Sequence, residues 1–423
     1  MKKIAEKRDV RNEVKMALVR GLGAIVRRDL RAFVVDAGMV ALAEVLESER
    51  TAVCGPRHAR QKGRQAYRAG HTRGELVMGG RRLSADRPRA RTVTGEEVEL
   101  PSWRFFSEED PLTERAMEQM LVGVSTRKYA RSLEPASPGV KTRGTSKSAV
   151  SRRFVAKTEE QMEEWLKRDL SQISLATLMV DGVHVDEHVL LVALGIDVDG
   201  NKHVLGVREG ATENSTACTE LLADLVERNL RADYTILAVL DGAKALAKAV
   251  RTVWGKRVLI QRCQVHKLRN VADQLPESMR PSVKKAMQQA YRARNAKTAK
   301  RLLTNLLQRL RGEHPGAAGS LEEGLDETLT VMGFNLPEWL ERTLSTTNAI
   351  ENLIGSVRNL GHRVRRWRDG TMILRWATTA LIEASKQFRK LRGCAGMGKL
   401  VAALRAHDAK LTPTVVDVKE KAA

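Results

Sequence analysis

The chain has 423 residues, of which 42% are hydrophobic, enough for several packed domains and too many for wholesale disorder. Its 73 Lys and Arg outnumber 51 Asp and Glu, and a net charge of +22 calls for a polyanionic partner, nucleic acid before an anionic membrane surface. Four scattered cysteines, an N-terminus without a signal-peptide run and no apolar stretch near ~20 residues argue against a secreted, disulfide-stapled or membrane-spanning protein.

The charge is concentrated. Residues 57–91 hold eleven basic and two acidic residues; 141–153, 280–311 and 358–368 hold five, ten and five basic residues and no acidic ones. These windows exceed the net charge of the whole chain, so the remainder is acidic on balance. Any one window fits a solvated helix face; four separated ones fit an extended track for a polyanion. At 4%, the aromatic content weakens any reading built on stacking platforms for single-stranded nucleic acid.

In chain order, residues 1–50 read as helical and the Gly- and Arg-rich stretch 54–91 as a basic loop or hairpin. Leu112–Gly123 opens a helical group that runs through 126–131 and, after a Pro/Gly-rich connector, 145–154. Short apolar runs at Leu175–Val183, Val189–Val198, His203–Val207, Thr235–Leu240 and Arg257–Gln261 then read as strands. DVDGNK reads as a hairpin turn, and amphipathic helices are expected at Ser215–Asn229 and Ala243–Trp254. This order predicts an α/β fold with a mixed sheet and helices on its faces. Val271 to about Leu344 is helical throughout, and a further helix opens in Ser345–Leu353 with Ile350, Leu353, Ile354 and Val357 on one face. A small helix and a polar tail follow Gly393.

Three carboxylates carry the chemical reading. Asp181 lies in the first apolar run and Asp241 ends the fourth, where an unpaired charge is costly unless it binds a cation. Each precedes a glycine, so either alone also fits a turn or helix cap. Glu351 shares its helix face with Gly355 and Arg358, one leaving room and one attracting phosphate. Two Asp and one Glu can hold two Mg²⁺ ions, with Mn²⁺ as a substitute, to activate a water or 3′-hydroxyl and stabilise a leaving oxygen.

The segments DGVHVDEHVLLVALGIDVDGNKHVLGVREG, LAVLDGAKAL, QRCQVHKLRNV and STTNAIENLIGSVR together resemble the mutator-type family of bacterial insertion-sequence transposases, in the family's order and over most of the chain. The resemblance implies a ribonuclease-H-like mixed-sheet core whose catalytic, metal-binding Asp, Asp and Glu fall on Asp181, Asp241 and Glu351. It also implies an all-helical insertion domain between the second Asp and the Glu, and a mainly helical N-terminal DNA-binding region. The resulting division is 1–110 (helical and basic-loop region), 111–170 (helix-turn-helix-like region), 171–270 and 345–393 (the two parts of the core), 271–344 (insertion) and 394–423 (tail).

Cys263-x-x-His266 has three readings: half a zinc site, with His184 and His188 as remote partners; an apolar Cys and polar His at a strand end; or, by the resemblance, a family signature beside the active site. In the third, catalytic His266, with Lys267 and Arg269, contacts substrate phosphate or orients a carboxylate. In the 146–155 helix, Lys147, Ser148, Ser151, Arg152 and Arg153 are candidates to meet DNA while Ala149, Val150 and Phe154 pack, unless it is an ordinary bundle helix. The resemblance makes this region the reader of terminal inverted repeats. Beyond Glu351, Arg358, Arg365, Arg366 and Trp367 are candidates to grip phosphates and stack on an unpaired base, with core packing the alternative for Trp367.

The expected function is a transposase that binds inverted-repeat ends in double-stranded DNA, cuts phosphodiester bonds with Mg²⁺ and joins the 3′-ends to target DNA. Pairing two ends calls for a homodimer or larger assembly, in the cytoplasm on the nucleoid. The alternative is a non-catalytic sequence-specific DNA-binding protein, a repressor or decayed transposase, which needs the basic windows but not the carboxylates.

Overall fold

The computed structural model describes residues 30–58, 63–78, 80–107, 111–133, 142–143, 146–210, 215–361, 364 and 366–411. The chain divides into two compact units, residues 1–157 and 158–423.

The first unit begins with α1 (Leu30–Cys54). A long antiparallel hairpin follows, β1 (Ala66–Met78) and β2 (Arg81–Thr92), as the alternation in the basic stretch allowed. β3 (Glu97–Val98) pairs with one part of β2, α2 (Pro101–Ser107) and α3 (Pro111–Leu121) come next, and β4 (Thr142–Arg143) pairs with another part of β2. Val35, Leu42, Leu46, Leu76, Leu83, Leu100 and Trp103 form its main core. Tyr129–Ser132 is a single 3₁₀ turn. The segment before α4 (Lys147–Lys167) therefore carries a short turn and a strand pairing, not the first helix of a helix-turn-helix. The division between units falls within α4.

The second unit is built on five strands: β5 (Leu175–Val185), β6 (His188–Asp197), β7 (Lys202–Gly210), β8 (Ile236–Leu240) and β9 (Val258–Arg262). Their order is β7-β6-β5-β8-β9, with β7, β6 and β5 antiparallel and β5, β8 and β9 parallel. The predicted mixed α/β sheet is therefore present. α5 (Ser215–Glu227) leads into β8, and α6 (Lys244–Trp254) crosses from β8 to β9. Between β9 and residue 344 lie α7 (Gln264–Asp273), α8 (Arg280–Tyr291), α9 (Ala296–Glu313), α10 (Pro315–Glu322), short 3₁₀ turns and α11 (Glu338–Leu344). α12 (Asn348–Gly361), α13 (Gly370–Ser385) and α14 (Met397–Leu411) complete the described chain.

Successive strand side chains alternate between faces, and here both faces are covered. Leu178, Val180, Ile236, Ala238 and Leu240 pack with α5 and α6. Met179, Val183, Leu237 and Val239 pack on the other face with Ile350, Leu353, Ile354 and Val357 of α12 and with residues of α13 and α14. α7 to α10 have their own core, centred on Val271, Met287, Leu303, Leu307 and Leu321. Among the described residues no helix is long and apolar enough to cross a membrane.

Candidate active site

Strand register and period align the two aspartates. Met179 is opposite Val239 on parallel β5 and β8, so continuing the register by two residues sets Asp181 opposite Asp241. Neighbouring strands lie about 4.8 Å apart. Both positions have the parity of Met179 and Val239, which face α12. They also lie toward the carboxyl ends of adjacent parallel strands, from which the chain runs in opposite directions along the sheet, to β6 and to β9, a place where ligands gather. Each is half-buried. The main-chain N–H of Gly182 donates to Asp181 Oδ1 at 2.8 Å, and that of Ala243 to Asp241 Oδ1 at 2.8 Å. The second bond closes a turn through Gly242, whose φ of 114° suits glycine.

α12 brings the third carboxylate onto this face. Ile350, Leu353, Ile354 and Val357 are buried at helical spacing, which fixes the helix's rotation on the sheet. Glu351 lies in the first turn, where the helix dipole favours negative charge.

A buried threonine that the sequence reading passed over ties this turn to the end of β9. The Thr347 hydroxyl donates to Glu351 Oε1 at 2.7 Å. It also lies 3.3 Å from His266 Nδ1 and 3.3 Å from Cys263 Sγ. The carboxylate is the nearer and stronger acceptor for its single proton, which leaves the hydroxyl oxygen to accept from His266 Nδ1–H. The proton is thus assigned to Nδ1 from the bonding pattern. The Thr347 main-chain N–H faces Cys263 Sγ at 3.5 Å. One signal was available in sequence: a threonine one helical turn before the glutamate.

Cys263 and His266 are electrostatically coupled. Burial opposes ionisation of the thiol, but the neighbouring His266 and Thr347, whose main-chain N–H groups face the sulfur, outweigh it and hold Cys263 below its ordinary pKa. The adjacent Cys263, opposed by burial and helped by Glu351 and Asp241, holds His266 above its ordinary value. Among the described residues, the group of three potential metal ligands whose donor atoms all lie within 4.8 Å of one another is Cys263, His266 and Glu351. The Thr347 hydroxyl sits among these donors as their shared bonding partner. His188 instead bonds Glu209 at 2.6 Å.

The profile of the transposase family termed Mutator matches residues 13–390. The chain belongs to the Mutator family of transposases. It is 28% identical over 356 residues to the transposase for insertion sequence element ISRM5 of Rhizobium meliloti (strain 1021), covering 82% of this chain and 86% of that one. It is 26% identical over 357 residues to the transposase for insertion sequence element IS256 in transposon Tn4001 of Staphylococcus aureus, covering 80% and 87%. The transposase for insertion sequence element IS6120 of Mycolicibacterium smegmatis matches at 31% over 221 residues, 51% of this chain and 67% of that relative.

In this Mutator-family chain the basic candidates fall in different surroundings. Lys147, Ser148, Ser151 and Arg152 are exposed on α4, whereas Val150 and Phe154 are buried beneath them. Arg153 is half-buried; desolvation and nearby Arg82 lower its pKa. Arg269, Arg358 and Arg366 are exposed, and Arg365 lies outside the described residues. Trp367 is half-buried and packs against the core beneath α12 and α13. Lys267 corrects the expectation that it meets a phosphate: it is 4% exposed, and its ammonium donates to the carbonyls of Ser320 at 2.6 Å and Glu323 at 2.7 Å. Adjacent helical residues point about 100° apart, so Lys267 enters the helical segment while His266 turns to Thr347.

Proposed function

We propose that this transposase cleaves and joins DNA strands at a divalent-cation site formed by Asp181, Asp241 and Glu351. The observation that carries the reading is the register of Asp181 with Asp241 on the sheet face packed by the Glu351 helix. Two carboxylates one strand apart repel each other, and a cation held between them removes the penalty. Their all-oxygen donor set fits a hard ion such as Mg²⁺, with Mn²⁺ as a substitute. Bound at these oxygens, two Mg²⁺ ions would supply activation of a water or 3′-hydroxyl and neutralisation of charge at the leaving oxygen.

The protein's own groups do the rest. The Gly182 and Ala243 amides hold one oxygen of each Asp, fixing the direction of the other. Thr347 holds Glu351, and His266 supports Thr347 from the opposite side. Arg269, Arg358 and Arg366 are placed in solvent to meet phosphates, and α4 presents Lys147, Ser148, Ser151 and Arg152 to the inverted-repeat ends. The sheet order and the helices interposed between β9 and α12 support a ribonuclease-H-like core with a helical insertion. Joining two ends calls for at least a dimer on double-stranded DNA.

The test is Mg²⁺-dependent cleavage of DNA carrying the element's own termini. Wild type cuts at the ends, whereas Asp181→Asn, Asp241→Asn and Glu351→Gln bind them without cutting. Wild type that binds ends but never nicks them is a non-catalytic binding protein.

A further inference from the structure

The β5–β6 hairpin, the second half of α12 and the start of α13 enclose a cavity of about 340 Å³. This is at the small end of ligand pockets, about 300–1,000 Å³. Its walls include His184, Val185, Arg358, Trp367, Ile373 and Trp376, with Asp186 at the hairpin turn as its one acidic residue. Trp376 and Ile373 are buried and form a rigid floor, whereas Trp367 is half-buried and Arg358 exposed. Two indoles and a guanidinium around one apolar space suit a flat ring attached to a negative charge.

Two walls lead back to the carboxylates. Along β5, His184 is three residues beyond Asp181, about 10 Å at 3.3 Å per residue. Along α12, Arg358 is seven residues beyond Glu351, about 10.5 Å at 1.5 Å per residue, and lies on the same helix face. Both routes place the cavity within about three stacked nucleotides of the carboxylates, at 3.4 Å per nucleotide. Exposed Arg366 and Arg368 flank Trp367 in the chain, so a strand entering here meets positive charge before the apolar space.

We infer that this cavity receives one unpaired nucleobase of the strand being processed, stacked on Trp367, with Arg358 on the adjoining phosphate. The assignment rests on the transposase reading above and adds to it a base-binding site away from the metal ligands. A fully paired base remains in its own stack and cannot enter, so the cavity distinguishes unpaired from paired DNA.

The test uses the full-length protein and two 20-bp duplexes, one with a single extrahelical 2-aminopurine and one with 2-aminopurine paired. Wild type is expected to prefer the extrahelical duplex by about tenfold or more, the scale of one base–aromatic stack, and to quench its fluorescence. Trp367→Ala loses both the preference and the quenching; Trp367→Phe keeps part of each, which separates stacking from loss of fold. Equal binding of both duplexes by wild type, or a Trp367→Ala protein that retains preference and quenching, overturns the assignment. End cleavage, measured in parallel, separates the two claims. Wild type that cleaves without preferring the extrahelical base removes the cavity assignment alone, and wild type that cannot cleave removes the reading beneath it.

Discussion

Replacing Thr347 by valine puts a methyl where the hydroxyl stood in a fully buried position, leaving volume almost unchanged. The lost oxygen donates to Glu351 at 2.7 Å and faces His266 and Cys263 at 3.3 Å. A hydrogen bond to a charged group contributes about 1.5–3 kcal/mol, or about ten- to a hundredfold in rate if all of it positions the carboxylate. The Glu351 side chain is 33% exposed, so water replaces part of the bond and the lower end applies. The expectation is a cleavage rate down about tenfold and a higher Mg²⁺ concentration for half-maximal rate, with end binding retained. Single-turnover cleavage across a Mg²⁺ titration measures both, and the shift in metal dependence is one that a purely structural role would not produce. Thr347→Ser, which keeps the hydroxyl, should recover most of the rate. A valine variant with wild-type rate and metal dependence would refute the positioning argument.

Three further outcomes follow from other parts of the molecule. Burial pushes the Lys267 ammonium from its ordinary 10.5 down to about 8. Between those values the unfolded chain binds the proton and the native chain does not, so this group's contribution to stability rises with pH. Wild type should gain about 3 kcal/mol on Lys267→Met between pH 8 and pH 10.5 in urea melts; a pH-independent difference would contradict the burial. Asp408 of α14 accepts from the Thr235 main-chain N–H at 2.9 Å and from its hydroxyl at 2.6 Å, at the entry to β8. Asp408→Ala should cost about 2–3 kcal/mol and several degrees of melting temperature, and an unchanged thermal melt would contradict that anchoring. Arg152→Ala should reduce the slope of log affinity against log salt by about 1 on any duplex; an unaltered slope would remove α4 from the DNA contacts.

What the sequence disclosed follows from the range of each signal. Strand alternation and the 3.6-residue period are local, so the five strands and the buried stripe Ile350, Leu353, Ile354 and Val357 were legible. They also fix which face carries Asp181, Asp241 and Glu351. The Thr347 network was not legible, because it joins residues 84 positions apart and exists only once α12 docks beside the end of β9. Lys267 misled by proximity: beside His266 and near Arg269 it reads as part of a phosphate-binding group, but helical rotation turns it toward two carbonyls. The two-residue strand β4 has no periodicity to detect within the Pro/Gly-rich connector, and the helix expected over 126–131 is a turn followed by the 3₁₀ turn Tyr129–Ser132. Nor could spacing show that Trp367 borders a cavity, since Trp376 and His184 come from separate elements.

If the three carboxylates cut DNA with a divalent cation, the decisive comparison is wild type against Asp241→Asn, an isosteric change that removes one charge, on DNA bearing the element's termini in Mg²⁺. Wild type should cleave strands at the ends and not without the cation, and Asp241→Asn should bind without cleaving. Cleavage by Asp241→Asn at the wild-type rate would contradict that role of the carboxylates.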